Sequence, residues 1–203
     1  MLFLKQTTLE KDRYLKKINY FFFIFFLFIS GTLFGSDIES KLLVYNDSLK
    51  NSSLLFIQTD GKTIEEGVVY IGSERIKVEY EKPQRLTFVL SKKKGMFVNH
   101  ELKEVQYFNP NKSFVKIFFK ILRGDFFDEN SYLNISNNSI LIKNNFEIMD
   151  RFYKVDVIYE NEPIKLRKIE VLENKESFEI GFFNHNNLSS VNVDFSLINP
   201  YLR

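Results

Sequence analysis

The chain has 203 residues, with 28 basic side chains against 26 acidic ones, 23 phenylalanines, 10 tyrosines, and neither cysteine nor tryptophan. Without cysteine there is no disulfide framework and no thiol ligand or nucleophile, so stability has to come from packing. So small a basic excess also excludes a nucleic-acid partner recruited by overall charge.

Lys11, Arg13, Lys16 and Lys17 lead into Ile18–Phe34, a run of 17 residues without a charge, and Gly35 and Ser36 follow. A positive flank, a short apolar stretch and a small-residue exit form the pattern of a secretory signal peptide over residues 1–35. Cleavage before Ser36 would place Leu33 and Gly35 at the −3 and −1 positions, give or take a residue or two. The second reading is a retained anchor, but the run lies at the lower edge of what spans a bilayer and no basic stop-transfer flank follows it. Five of the 28 basic and two of the 26 acidic residues fall within 1–35, which leaves 23 against 24 and a formal charge of −1 on residues 36–203. The basic excess therefore belongs to the leader. The remainder has the size of one ordinary domain. It has no thiol to carry an attached lipid, so it is expected to be soluble once cut, and monomeric.

Ser36-Asp37-Ile38-Glu39 fits a capping box. Ile38, Leu42, Tyr45 and Leu49 then share one helical stripe, which predicts an amphipathic helix over Asp37–Leu49. Beyond Asn51-Ser52-Ser53 the period changes to two. Ile76, Val78 and Tyr80 alternate with charged residues, as do Leu86, Phe88 and Leu90 with polar ones. The same alternation recurs at Val105–Tyr107, Tyr153–Tyr159, Phe178–Phe182 and Val191–Leu197. Weaker strands fit at Leu54–Gln58, Thr63–Ile71, Met96–Asn99, Tyr132–Ile135 and Ile140–Lys143. Turn residues separate them, among them Asp60-Gly61, Asn109-Pro110, Asn144-Asn145 and His185–Asn187. Gly67 fits a bulge or a close backbone approach. The pattern is mainly β: an antiparallel meander of about ten or eleven strands curled into an unclosed barrel.

Ser113–Leu122 departs from it. Phe114, Ile117, Phe118, Ile121 and Leu122 follow helical spacing, while Lys112, Lys116 and Lys120 line another face. This predicts an inserted helix. Together with the N-terminal helix it can cover the apolar side of the sheet, either as a fixed plug or as a lid over an apolar cavity that accepts acyl chains.

No catalytic constellation is present in the sequence. His100 and His185 fall in predicted turns with no partner at metal-ligand spacing, and read as exposed loop residues. Ser189-Ser190 lacks the glycine frame of a nucleophile elbow. Glu65-Glu66 and Glu101/Glu104 read as solvated carboxylates, and no glycine-rich phosphate loop occurs. The expectation is a binding protein and not an enzyme, with no metal and no cofactor.

A set of short motifs resembles the LolA family of periplasmic outer-membrane lipoprotein carriers. They are Phe56-x-Gln58, then Gly67, Ile76-Lys77-Val78-Glu79-Tyr80-Glu81-Lys82-Pro83 and Leu86–Leu90. Lys94-Gly95-Met96-Phe97-Val98, the turn and strand of Asn99–Val105, and a closing Val193–Pro200 complete the set. In order and spacing they run from Ser36 to Pro200. Phenylalanine stands where the family often has tryptophan, and Arg75 is the positional candidate for the arginine that latches the family's lid. The resemblance implies an unclosed barrel with helices as a lid. It also implies a periplasmic carrier that takes acylated lipoproteins released by an inner-membrane ABC transporter to the outer membrane, where the sequence does not identify the acceptor. The residues expected to touch lipid are Ile76, Val78, Tyr80, Leu86, Phe88 and Leu90 on the sheet, and Phe114, Ile117, Phe118 and Ile121 on the inserted helix. Two alternatives remain open. One is a carrier of another lipid, such as a phospholipid or lipid A, on the same scaffold. The other is an envelope-assembly module with a closed core, binding a protein through a sheet edge or the basic face of Lys112, Lys116 and Lys120.

Overall fold

The computed structural model describes residues 33–128, 130–188 and 192–202, with side chains from Ile38 onward. The chain divides into two compact units, Met1–Lys41 and Leu42–Arg203. The described part of the first, residues 33–41, is helical. It belongs to helix α1 (Leu33–Ser48), whose last residues lie in the second unit.

The second unit is built from eleven strands. These are β1 (Ser52–Thr59), β2 (Ile64–Ile71), β3 (Ile76–Lys82), β4 (Leu86–Leu90), β5 (Gly95–Asn99) and β6 (Glu104–Phe108). After a 3-10 turn (Pro110–Lys112) and helix α2 (Val115–Arg123) come β7 (Tyr132–Ile135), β8 (Ser139–Ile148), β9 (Arg151–Glu160), β10 (Lys165–Glu173) and β11 (Glu176–Asn187). All eleven form one antiparallel sheet in the order β6-β5-β4-β3-β2-β1-β11-β10-β9-β8-β7. Every ladder but one joins strands adjacent in sequence, as short turns favour. The exception is β1–β11, which welds two meanders together, with Phe56 opposite Phe182 and Gln58 opposite Ile180. Strands β6 and β7 end the sheet on opposite edges, so the barrel is unclosed. The chain must pass from one edge to the other between them, and α2 lies on that connection.

Local chemistry explains the turns. Asp60 Oδ1 accepts the backbone N–H of Lys62 (2.9 Å) and of Thr63 (2.8 Å), and Gly61 takes φ +83° between β1 and β2. Gly67 sits at a register shift between β2 and β3, where an added Cβ would lie 2.0 Å from the Glu79 carbonyl oxygen and 2.8 Å from the Phe56 ring. Gly124 ends α2 at φ +81°, its N–H donating to the Ile121 carbonyl in the usual left-handed cap.

Four sequence expectations change. The helix predicted over Asp37–Leu49 runs from Leu33 to Ser48, so Ser36-Asp37-Ile38-Glu39 lies within it and not at its start. The apolar stripe is otherwise placed as expected, with Ile38, Leu42 and Leu49 buried. The turn predicted at Asn144-Asn145 is the middle of β8, which is far longer than the predicted Ile140–Lys143. Asn144 is buried there and its Nδ2 donates to the Phe126 carbonyl and to Ser131 Oγ. The true turn is Met149-Asp150, both residues at positive φ, the twist that a two-residue hairpin requires. The turn predicted at His185–Asn187 is the end of β11.

Finally, the strand predicted over Val191–Leu197 forms no ladder among its described residues, 192–197. Side chains bind its polar groups instead. Asp194 accepts the N–H and hydroxyl of Ser196, and Arg75 Nη1 donates to the Phe195 carbonyl at 2.8 Å. Leu197 packs on Val89, Met96 and Val98, and Phe195 lies against Gly72. The predicted last strand is thus a strap of extended chain.

Candidate functional site

Register decides which side chains share a face. Val69 pairs with Val78, Val78 with Phe88, Tyr80 with Leu86, and Phe88 with Phe97. Across the weld, Phe56 pairs with Phe182 and Gln58 with Ile180; Ile180 then pairs with Ile169, and Ile169 with Val157. One apolar face therefore runs unbroken from β5 to β9. Val89, Met96 and Val98 point the other way, beneath the C-terminal strap.

Helix α2 packs on the apolar face through rings. Phe114 meets Phe178 edge-on at 4.9 Å between centroids and Tyr153 at 5.6 Å, and Phe118 stacks on Phe182 at 6.4 Å. Ile117 and Ile121 are fully buried behind them. Burying each such side chain stabilises the docked helix by about 1.5–3 kcal/mol. Nearby, the Tyr45 hydroxyl of α1 accepts the Leu166 N–H at 2.8 Å while its ring meets Tyr159 edge-on at 5.9 Å. Burial pushes the Tyr45 phenol up to about 12, so it remains a neutral hydroxyl.

Between α2 and the strands β1–β4 and β11 the rings do not close. A cavity of about 310 Å³ remains, at the small end of ligand pockets. Its walls are Phe56, Val69, Val78, Tyr80, Phe88, Leu90, Phe178 and Ile180 on the sheet, and Phe114, Val115 and Phe118 on the helix side; Gln58 and Asp60 are its polar members. A file of rings crosses the strands, with Phe56–Tyr80 at 5.0 Å, Tyr80–Phe88 at 5.9 Å and Phe88–Phe97 at 4.9 Å. The first two contacts are edge-to-face, an arrangement that aromatic pairs prefer.

Of the ten side chains expected to touch lipid, Val78, Tyr80, Phe88, Leu90, Phe114 and Phe118 line this cavity. Ile76, Ile117 and Ile121 lie on the correct faces but are fully buried in the packing around it, and Leu86 stands half-buried beyond the lining. Phe56, Gln58, Asp60, Val69, Val115, Phe178 and Ile180 were missed. Phe56-x-Gln58 stood out in the sequence as a motif, but its place in the wall depends on the β1–β11 weld. Arg75 lies outside the lining and binds the strap. It is Arg123, at the end of α2, that ties the helix to the β2–β3 turn, its Nη1 donating to the Ser73 carbonyl at 2.6 Å. Arg123 Nε and Nη2 are buried without partners, and burial lowers its pKa from the ordinary guanidinium value.

The histidines are not free loop residues. His100 Nε2 is 2.8 Å from Thr87 Oγ1 and its Nδ1 is 2.8 Å from the Tyr201 hydroxyl. His185 lies on β11 beside Tyr45, with centroids 6.4 Å apart. Among the described residues no group of histidines and carboxylates is arranged to hold a metal, and no helix is long and apolar enough to cross a membrane. The proposed signal peptide lies largely outside the described residues.

No protein-family model matches the chain, and no curated protein matches it. Among solved structures it is similar to MucB in complex with MucA(peri), with 9% identity and a TM-score of 0.42 over 74% of this chain and 54% of that one. It is also similar to LprF from Mycobacterium bovis, with 10% identity and a TM-score of 0.34 over 79% of this chain and 96% of that one. The chain spans about half the length of the MucB chain it matches.

Proposed function

We propose that the protein is an exported, periplasmic carrier of acyl chains, a member of the LolA-like group, and that its cargo is acylated lipoprotein in transit from the inner to the outer membrane. The observation that carries this reading is the apolar cavity between the aromatic sheet face and the amphipathic α2. The leader pattern and the ordered motifs support it. A lipid chain cannot cross water unaided: at about 0.8 kcal/mol per CH2, exposing one long chain costs on the order of 10 kcal/mol. A carrier must bury that surface and still release it without a chemical energy source.

The cavity holds only part of such a chain, so loading requires α2 to move. Its ring contacts with Phe178, Tyr153 and Phe182 are those that acyl carbons would replace. Similar burial with and without cargo keeps the exchange close to balance, and a modest affinity difference at donor or acceptor then moves the cargo. The donor in this reading is an inner-membrane lipoprotein-releasing ABC transporter. The chemistry is binding alone, with no catalytic step.

The test is release. Purified protein added to spheroplasts making a labelled lipoprotein should recover it as a soluble one-to-one complex, and blocking acylation should abolish that complex. Phe88→Glu, which puts a carboxylate in the cavity wall, should abolish release while circular dichroism remains that of the folded protein. Absence of release by a well-folded protein would favour the closed-core alternative.

A further inference from the structure

A second concavity, of about 680 Å³, is bounded by the β2–β3 turn, the β4–β5 turn, Lys50 ahead of β1 and the end of α2. Local bonds fix both turns. The Gly72 N–H donates to the Arg75 carbonyl at 2.8 Å. Ser91 Oγ accepts the Lys94 N–H at 3.1 Å and donates to the Lys94 carbonyl at 2.9 Å, while Asn111 Nδ2 donates to the Lys92 carbonyl at 2.9 Å. Lys92 and Lys93 are thereby held, exposed, at the tip of a closed turn. Five cations line the concavity, Lys50, Arg75, Lys92, Lys93 and Arg123, against two carboxylates, Glu74 and Asp125. Lys50 is paired with Asp47. Among the described residues the other four cations have no carboxylate partner.

Arg123 is the sharper observation. Its Nη1 donates to the Ser73 carbonyl, and its guanidinium lies over the Phe119 ring, 5.3 Å from the centroid, which covers the group without accepting its N–H bonds. Nε and Nη2, the two donors along one edge, are buried without a partner. That edge is spaced to meet two oxygens of one anion. A buried donor left unpaired is costly, so a pair of them beside unpaired lysines favours a ligand that accepts both. Burial lowers the Arg123 pKa, and Asp125 and Glu74 oppose the shift without cancelling it.

We propose that this concavity is an oxyanion site that takes a phosphate group, with the free edge of Arg123 donating to two of its oxygens and Lys92, Lys93 and Arg75 offsetting the remaining charge. A planar carboxylate satisfies one fork, whereas a tetrahedral phosphate presents further oxygens to cations that arrive from separate elements. Entry of the anion draws the Arg123 edge toward the concavity. Because Arg123 ends α2 while the other three cations stand at sheet turns, the bound group ties helix to sheet. None of these residues lines the apolar cavity, so the site stands or falls independently of the acyl-carrier reading. Two sources present this chemistry, a soluble phosphate ester and the headgroup of an anionic phospholipid.

The test titrates inorganic phosphate calorimetrically into the purified protein at fixed ionic strength, with chloride as the control ion, and follows thermal unfolding in parallel. Saturable binding of one phosphate in the millimolar range or tighter is expected, with a midpoint that rises with phosphate and not with chloride. Arg123→Lys keeps the charge but loses the two-donor edge, and should weaken binding about tenfold, as loss of a charge-assisted hydrogen bond does. Replacing both turn lysines, Lys92→Gln with Lys93→Gln, should weaken it about fivefold. Vesicles then identify the source. Sedimentation with phosphatidylglycerol but not phosphatidylcholine vesicles, reversed by phosphate and weakened by Arg123→Lys, assigns the headgroup; phosphate binding without sedimentation assigns a soluble ester. Absence of saturable phosphate binding by the folded, unmodified protein overturns the proposal. So does binding that both variants, each folded by circular dichroism, leave unchanged. Should Arg123→Lys fail to fold, the lysine double variant decides.

Discussion

The two halves of the apolar face differ in how they are filled. On β8–β10 the face is closed: Ile140, Val155, Val157 and Ile169 are fully buried, and the rings of Tyr153 and Tyr159 are buried with them. On β1–β4 the rings of Phe56, Tyr80 and Phe88 stand among buried aliphatic residues, and Tyr80 and Phe88 remain half-buried around a void. Branched aliphatic side chains have compact shapes that interdigitate to crystal-like density. Planar rings locked edge-to-face cannot all turn to fill the space they enclose. One sheet thus combines a half that holds the fold and a half that stays open.

A charge should break this contrast most sharply. Val157→Asp places an unpaired carboxylate in the closed half, and a loss of about 4 kcal/mol or more in urea unfolding is expected, a large fraction of an ordinary domain's stability. Phe88→Glu, with the cavity beside it to admit water, should stay folded. Equal damage from the two would mean that the open half is as much core as the other. Truncation should sharpen the contrast on a smaller scale. Ile169→Ala should cost about 2–5 kcal/mol, as a new cavity in a tight core does. Phe88→Ala only enlarges an existing void and should cost less than about 2 kcal/mol by the same transfer argument.

Gly67 is the exception inside the open half. A methyl group there meets the Glu79 carbonyl at 2.0 Å, and that oxygen belongs to the neighbouring strand. Gly67→Ala should therefore cost about 1–3 kcal/mol although it adds apolar surface. It should also push the Phe56 ring toward the cavity, lowering affinity for an acyl probe. Unchanged stability and affinity would show that β2 and β3 can part there freely.

The face alternation of β3 and β4 was legible because period two survives in a single strand, and α2 was legible because its apolar spacing is unmistakable. Phe56, Phe178 and Ile180 were not placed in the cavity, because the weld that brings β1 beside β11 joins residues more than a hundred positions apart and no local pattern encodes it. Asn144-Asn145 carried a turn composition but is held in mid-strand by bonds to Phe126 and Ser131, partners that exist only once the fold has formed. Phe195 and Leu197 alternate as in a strand, yet Arg75 and Asp194 satisfy the polar groups of that segment and leave it as a strap. Composition reports which residues are buried more faithfully than it reports where the chain turns.

The smallest expected effect concerns acid, and it again separates the two regions. His185 lies on β11 beside Tyr45, with Nε2 buried and unpartnered. Burial, then the Arg167 and Lys165 charges, lower its pKa, while a Leu166 backbone hydrogen bond and Glu160 oppose the shift. His100, bonded to two hydroxyl groups at the far end of β5, is also lowered, by burial first and Arg85 next. An imidazole depressed in the folded state stays neutral there while the unfolded chain takes up a proton at about pH 6.5. Stability is then complete above about pH 6.5 and falls as the pH drops toward the folded-state values. Hydroxyl groups can rotate to accept from a doubly protonated ring, so His100 tolerates charge, whereas the Nε2 of His185 has nothing to donate to. His185→Gln should therefore flatten most of the decline in urea midpoint between about pH 6.5 and 5, and His100→Gln should flatten little of it. The reverse order would place the acid-sensitive contact at the strap of Phe195–Tyr201 and not at the seat of Tyr45.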